Sequence, residues 1–141
     1  MLLDHLDESY VLLKRLMCWD LRDILYITKN NRSYSFKEYT PSEKEVQELR
    51  RWKAVDYLIY DTFNKSLWEK IAAQGPDFFE EVHYFKDVNT RVNTYCNERQ
   101  ENTSNLIVEA AKWNSLQFEV DAEFCRVLQT LVSTIFVTFK W

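Results

Sequence analysis

Two histidines, three cysteines and one cluster of carboxylates are the residues of this chain whose types could do chemistry. A metal site needs ligands at short, fixed spacings, and neither His5 nor His83 has a partner at such a spacing. Each reads as a surface or capping histidine. Asp4, Asp7 and Glu8 lie close enough in sequence for one of them to act as a general base. Starting a helix already accounts for two of the three, and no Ser/His/Asp or Cys/His pattern surrounds either histidine. Cys18, Cys96 and Cys125 are far apart, form no C-x-x-C pair and have no histidine pair nearby, so they are not a zinc set. An odd count fits three reduced core thiols. It fits equally one disulfide plus a buried thiol. Three N-x-S/T triplets begin at Asn31, Asn64 and Asn102; they are acceptors for glycans if the chain passes through the secretory pathway.

The elements that must position these residues are mostly helices. Asp7, followed by Glu8, can cap a helix whose apolar stripe is Leu12, Leu13, Leu16 and Met17, with Leu6 and Val11 at the staple positions. Lys14 and Arg15 sit toward its end, where cations suit the dipole. Asp20 can cap one further turn, and residues 24–27 predict a short buried strand. Residues 29–39 are polar and serine-rich, hence a loop. Thr40-Pro41-Ser42-Glu43 predicts a helix start with Thr40 at the cap. From there Val46, Leu49, Trp52, Val55, Ile59, Phe63, Leu67 and Ile71 recur every three or four residues. That helix is expected to run to about residue 73 and stop at Gly75-Pro76. A second stripe follows in Phe78, Val82, Phe85, Val88 or Asn89, Val92 and Cys96. The polar residues 97–104 predict a loop, and a last helix is predicted over about 121–139, with Phe124, Val127, Leu128, Leu131, Ile135 and Phe139 inward.

Composition narrows the classes. A chain of 141 residues with 46% hydrophobic and 28% charged residues suits one domain with a real core. One glycine and two prolines cannot supply the turns of a many-stranded sandwich, nor a glycine-rich phosphate loop. The net charge of −4 gives no electrostatic footprint for nucleic acid. The densest basic run, Arg50-Arg51 with Lys53, lies among glutamates and reads as a solvated face. The N-terminus lacks a signal-peptide pattern, and the apolar run 127–139 is shorter than the roughly 20 apolar residues of a bilayer span.

One block carries a resemblance. Asp7-Glu8-Ser9, Leu12-Leu13, Cys18-Trp19-Asp20, Asp23-Ile24-Leu25-Tyr26 and Asn30-Asn31-Arg32 resemble a segment of the galactose-3-O-sulfotransferase family. Trp52, Asp56, Tyr60, Phe63-Asn64-Lys65-Ser66 and Trp68 resemble a family helix that carries a glycosylation triplet. The likeness thins after Cys96, with Phe124-Cys125-Arg126 similar to the family's tail. About two thirds of the chain is covered.

The resemblance implies a P-loop-like α/β enzyme of the Golgi lumen. It moves a sulfuryl group from the donor PAPS (3′-phosphoadenosine-5′-phosphosulfate) to the 3-hydroxyl of galactose on a glycolipid or glycan. The family's phosphosulfate loop, catalytic base, 3′-phosphate-binding Arg and Ser, and membrane anchor lie upstream of the matching segment. The expectation is therefore a mostly helical chain with one or two short strands near its N-terminus. Residues 1–141 would be the C-terminal part of one sulfotransferase domain, without catalytic residues, metal or PAPS loop of their own, and inactive alone. Asn30, Arg32 and Ser33, in a loop after a strand, could touch PAPS or the acceptor; an exposed loop, glycosylated at Asn31, is the plainer reading. Trp52, Tyr57, Tyr60 and Trp68 could line a sugar or lipid groove, with helix-packing core the plainer reading. Cys96 and Cys125 are expected to bridge adjacent helices, with Cα atoms within about 7 Å, leaving Cys18 buried and reduced. The alternative function is a non-catalytic helical interaction module on the same scaffold.

Overall fold

The computed structural model describes residues 2–27, 39–100 and 104–137, with residues 131–137 as backbone. Its elements are α1 (Leu6–Met17), α2 (Glu43–Trp52), α3 (Ala54–Ala72), α4 (Phe78–Glu98), β1 (Leu106–Val108), β2 (Phe118–Val120) and α5 (Ala122–Val137). Short 3-10 turns precede α1 at Leu3–His5 and follow it at Leu21–Ile24.

The core forms where α4 meets α1. The stripe Phe78, Val82, Phe85, Val88, Val92 and Cys96 turns inward every three or four residues, and none of these is more than 9% exposed. Val11 and Leu12 of α1 close over it, joined by Leu21, Ile24, Leu25 and Ile27 from the segment after α1. A buried ion cluster ties the same two helices. Glu81, 2% exposed, accepts Lys14 Nζ at 2.8 Å and Arg15 Nε at 2.6 Å. Arg15 also donates to the Gln74 carbonyl at 3.0 Å and reaches Asp77 at 3.3 Å. With two cations on one carboxylate the buried charge is paired, where an unpaired one would be costly.

Several expectations are corrected. α1 begins at Leu6 with His5 before it and no side-chain cap, so Asp7 lies inside the first turn. Met17 is followed by Cys18 in the left-handed conformation (φ 53°), which ends the helix and leaves Cys18 exposed, where a buried thiol was expected. The 24–27 segment is not a strand of any sheet among the described residues: Ile24 closes a 3-10 turn, and the chain then runs extended. The expected cap at Asp20 is present, its backbone N–H donating to Asp23 at 3.0 Å. The helix predicted from Thr40 starts two residues later. Ser42 is its cap, and Ser42 and Glu45 close a reciprocal box on each other's backbone N–H. It also breaks at Lys53 (φ −105°, ψ 32°), dividing the run into α2 and α3.

α3 ends before Gly75, whose φ of 95° turns the chain into α4. Past α4, an antiparallel hairpin pairs Leu106 with Val120, Ile107 with Glu119 and Val108 with Phe118. Val108 and Val120 point to the core while Ile107 and Glu119 face water, the alternation of a half-buried ribbon. The strands thus lie toward the C-terminal end and not near the N-terminus. Asp121 caps α5, accepting the Phe124 N–H at 2.8 Å. Phe124, Cys125 and Leu128 lean on the core; Val127, expected inward, is 43% exposed. Cys96 and Cys125 are joined by a disulfide, with Cα atoms 5.4 Å apart, which pins α5 to the end of α4.

Most of the α2–α3 face expected to pack inward does not do so, while its C-terminal end does, with Ile71 buried and Leu67 packed against the core. Leu49, Trp52, Val55, Ile59 and Phe63 are 45–81% exposed, and Leu58 on the same helix is 66% exposed; only Ile71 of α3 is buried. Trp52, with 81% exposure, is not core. Tyr60 and Trp68 are at 37% and Tyr57 is half-buried.

Candidate functional site

The polar side of α4 and the extended segment around Tyr26 enclose an open groove of about 550 Å³. Its construction starts from two amides. Asn89, 7% exposed, accepts the Tyr26 backbone N–H at 3.1 Å. One turn on, Asn93 donates to the Tyr26 carbonyl at 2.8 Å and to the Asn89 carbonyl at 2.7 Å. The pair does for Tyr26 what a neighbouring strand would do. Backbone polar groups must be satisfied somewhere, and here side chains of a helix satisfy them.

The Tyr26 ring stacks on Tyr10, centroids 5.2 Å apart, and its hydroxyl donates to Asp7 at 2.7 Å. Burial, followed by the Asp7 carboxylate, holds the Tyr26 hydroxyl above its ordinary pKa, so it stays a donor at neutral pH. Lys86 reaches across from α4 to Glu8 at 3.1 Å and to Asp7 at 3.6 Å. Lys86 thus pairs with both carboxylates, which leaves one net negative charge at this end. Thr90, Thr94, Asn97 and Glu98 continue the groove along α4.

This arrangement holds and orients Tyr26. Of the three carboxylates considered as a base, Asp7 is occupied by a phenol and an ammonium, and Glu8 by the same ammonium. Asp4 accepts the Tyr60 hydroxyl at 2.8 Å, which ties the N-terminal turn to α3. His5 packs edge-on against Trp68 (4.9 Å) and His83 is exposed on α4. No group of three or more His, Cys, Asp or Glu that could hold a metal ion occurs among the described residues. The only glycine of the chain, Gly75, lies in the α3–α4 turn.

Asn30, Arg32 and Ser33, named from the sequence for PAPS, lie outside the described residues, as do Asn31 and Asn102. Tyr26 and Ile27 lead directly into that stretch, so the amide clamp fixes where it starts. Asn64 is half-buried on α3, and its side-chain oxygen accepts the Trp68 indole N–H at 3.0 Å. The sequence reading missed Tyr26, Lys86, Asn93, Thr90, Thr94 and Asn97. The available signal was the recurrence of Asn and Thr at helical spacing on one side of an otherwise good helix.

The comparisons with known proteins agree with the block that built this site. The family model for galactose-3-O-sulfotransferase matches residues 1–122. The chain belongs to the galactose-3-O-sulfotransferase family. Among its relatives are galactose-3-O-sulfotransferase 3 of Mus musculus, 36% identical over 97 residues, and galactosylceramide sulfotransferase of Homo sapiens, 37% identical over 101 residues. These matches cover 68% of this chain but only 22% and 23% of the two relatives, so the chain spans less than a quarter of their length. Galactose-3-O-sulfotransferase 2 of Homo sapiens is 40% identical over 75 residues. No solved structure matches the chain.

Proposed function

We propose that residues 1–141 are the C-terminal helical part of one sulfotransferase domain. The domain would transfer a sulfuryl group from PAPS to the 3-hydroxyl of galactose, on a glycolipid or glycan, in the Golgi lumen. Asn30, Arg32 and Ser33 are the residues proposed to reach the donor, with the phosphosulfate loop and the base supplied from outside these residues. Asn31, Asn64 and Asn102 are the proposed glycan acceptors. No helix among the described residues is long and apolar enough to cross a membrane.

The observation that supports this reading, beside the family, is the uncovered apolar face of α2 and α3. Apolar area left in water forgoes about 25 cal/mol per Å², and soluble proteins rarely leave contiguous patches of large side chains open. A sheet carrying the donor site would cover that face.

The test uses two proteins and one assay, labelled PAPS with galactosylceramide as acceptor. The purified 141-residue chain is expected to show no transfer; turnover would overturn its assigned inactivity. A chimera carrying this chain's segment in place of the matching segment of galactose-3-O-sulfotransferase 3 is expected to transfer sulfate. A folded but inert chimera would favour the non-catalytic interaction module.

A further inference from the structure

The solvent-facing positions of α4 divide by chemistry. One side carries Glu80, Asp87 and Arg91, which pair with Lys112 or with each other at 3.3 and 4.0 Å. The groove side carries Lys86 and Glu98 at its ends and, between them, Thr90, Thr94 and Asn97, neutral groups about one turn apart. Thr and Asn are weak helix formers, because their side chains compete for backbone groups or lose rotamer freedom in a helix. A face that met only water would be more stable with Glu, Lys or Arg. Asn89 and Asn93 are accounted for by the Tyr26 backbone. Thr90 spends its proton on the Lys86 carbonyl at 2.7 Å and keeps its lone pairs. Thr94 and Asn97 have no hydrogen-bond partner among the described residues. A local rule is thus broken three times on one face without a packing gain, which is the mark of a site kept for function.

The chemistry of the face selects the ligand. Hydroxyls and amides both donate and accept, which matches sugar hydroxyls. Lys86, the cation of the groove, is committed to Glu8 and Asp7, so a phosphate or sulfate finds no free counter-charge there. The wall along α4 is polar, so a hydrocarbon chain finds no cover. We infer that the groove binds a neutral saccharide through its hydroxyls, with Thr90, Thr94 and Asn97 as the recognising side chains. The choice of a galactose-bearing sugar rests on the sulfotransferase reading; the groove's own chemistry specifies a neutral polyol.

The probe is lactose, titrated into the isotope-labelled 141-residue chain and followed by amide NMR, with inorganic sulfate as a second titrant. Saturable shifts confined to Thr90, Thr94, Asn97 and their neighbours are expected with lactose, and none with sulfate. The double variant Thr94→Ala/Asn97→Ala should bind at least tenfold more weakly while its thermal midpoint stays the same or rises, because alanine favours the helix. Thr94→Val, which keeps the side-chain shape, should also weaken binding. The inference is overturned by the absence of saturable shifts with lactose, by shifts that persist unchanged in the double variant, or by sulfate acting at the same residues. Lactose binding with an inert chimera would sink the sulfotransferase reading alone. An active chimera with a groove blind to lactose would sink this inference alone.

Discussion

α4 and the α2–α3 pair carry the same apolar period and meet opposite fates. In α4 the stripe from Phe78 to Cys96 lies at 0–9% exposure, under α1 and the hairpin. In α2 and α3 the stripe from Leu49 to Phe63 stands at 45–81%. Periodicity decides that a segment is a helix and which side of it is apolar. It does not decide what covers that side. The exposed apolar side chains of α2 and α3 are where the proposed covering surface would lie.

Substitution gives the sharpest way to break this contrast. Phe85→Ala should cost about 3–5 kcal/mol, the usual penalty for emptying a buried aromatic site. Phe63→Ala in the same chain should stay within about 0.5 kcal/mol. Urea titrations of the two variants check it, and equal losses would mean that the α3 face is covered after all. The disulfide comes next. It spans 29 residues, and the chain-entropy account of such a loop gives roughly 3.6 kcal/mol. Cys125→Ala should lower the unfolding midpoint accordingly and loosen α5, read as faster amide exchange in residues 122–130, while α2 and α3 exchange as before. Glu81→Gln should cost about 3 kcal/mol, since it leaves Lys14 and Arg15 without their shared carboxylate.

The smallest effect concerns acid and the exposed side of the comparison. The Tyr39 hydroxyl, then the Ser42 hydroxyl and backbone, hold the Glu45 carboxyl at about 2, below its ordinary 4.5. Its contribution to α2 is therefore complete above the ordinary glutamate range and lost as pH falls through about 2. Amide exchange in the whole chain should show fraying of the first turn of α2 over that interval, and Glu45→Gln should remove the dependence.

Much of the α4 half was legible in the residues. Phe78, Val82, Phe85, Val88 and Val92 announced their face by spacing alone, and Gly75 announced the turn before them. The hairpin was not legible, because its nine-residue connection carries no Asn-Gly or Asp-Gly signal and its strands are only three residues each. The 24–27 segment misled for a physical reason. Ile24, Leu25 and Ile27 are buried as a strand's would be, but the hydrogen bonds of Tyr26 go to amide side chains that local sequence cannot reveal. The break at Lys53 involves neither glycine nor proline, and nothing in the structure explains it. Of the site, the acidic cluster was visible, while its partners Tyr26 and Lys86 lie 19 and 79 residues beyond Asp7 and come together only in the fold.

The amide grip on Tyr26 has a mechanical consequence. Residue 26 is bolted to the middle of α4 at two points rather than hung from a sheet edge, so Tyr26 moves with that helix as one body.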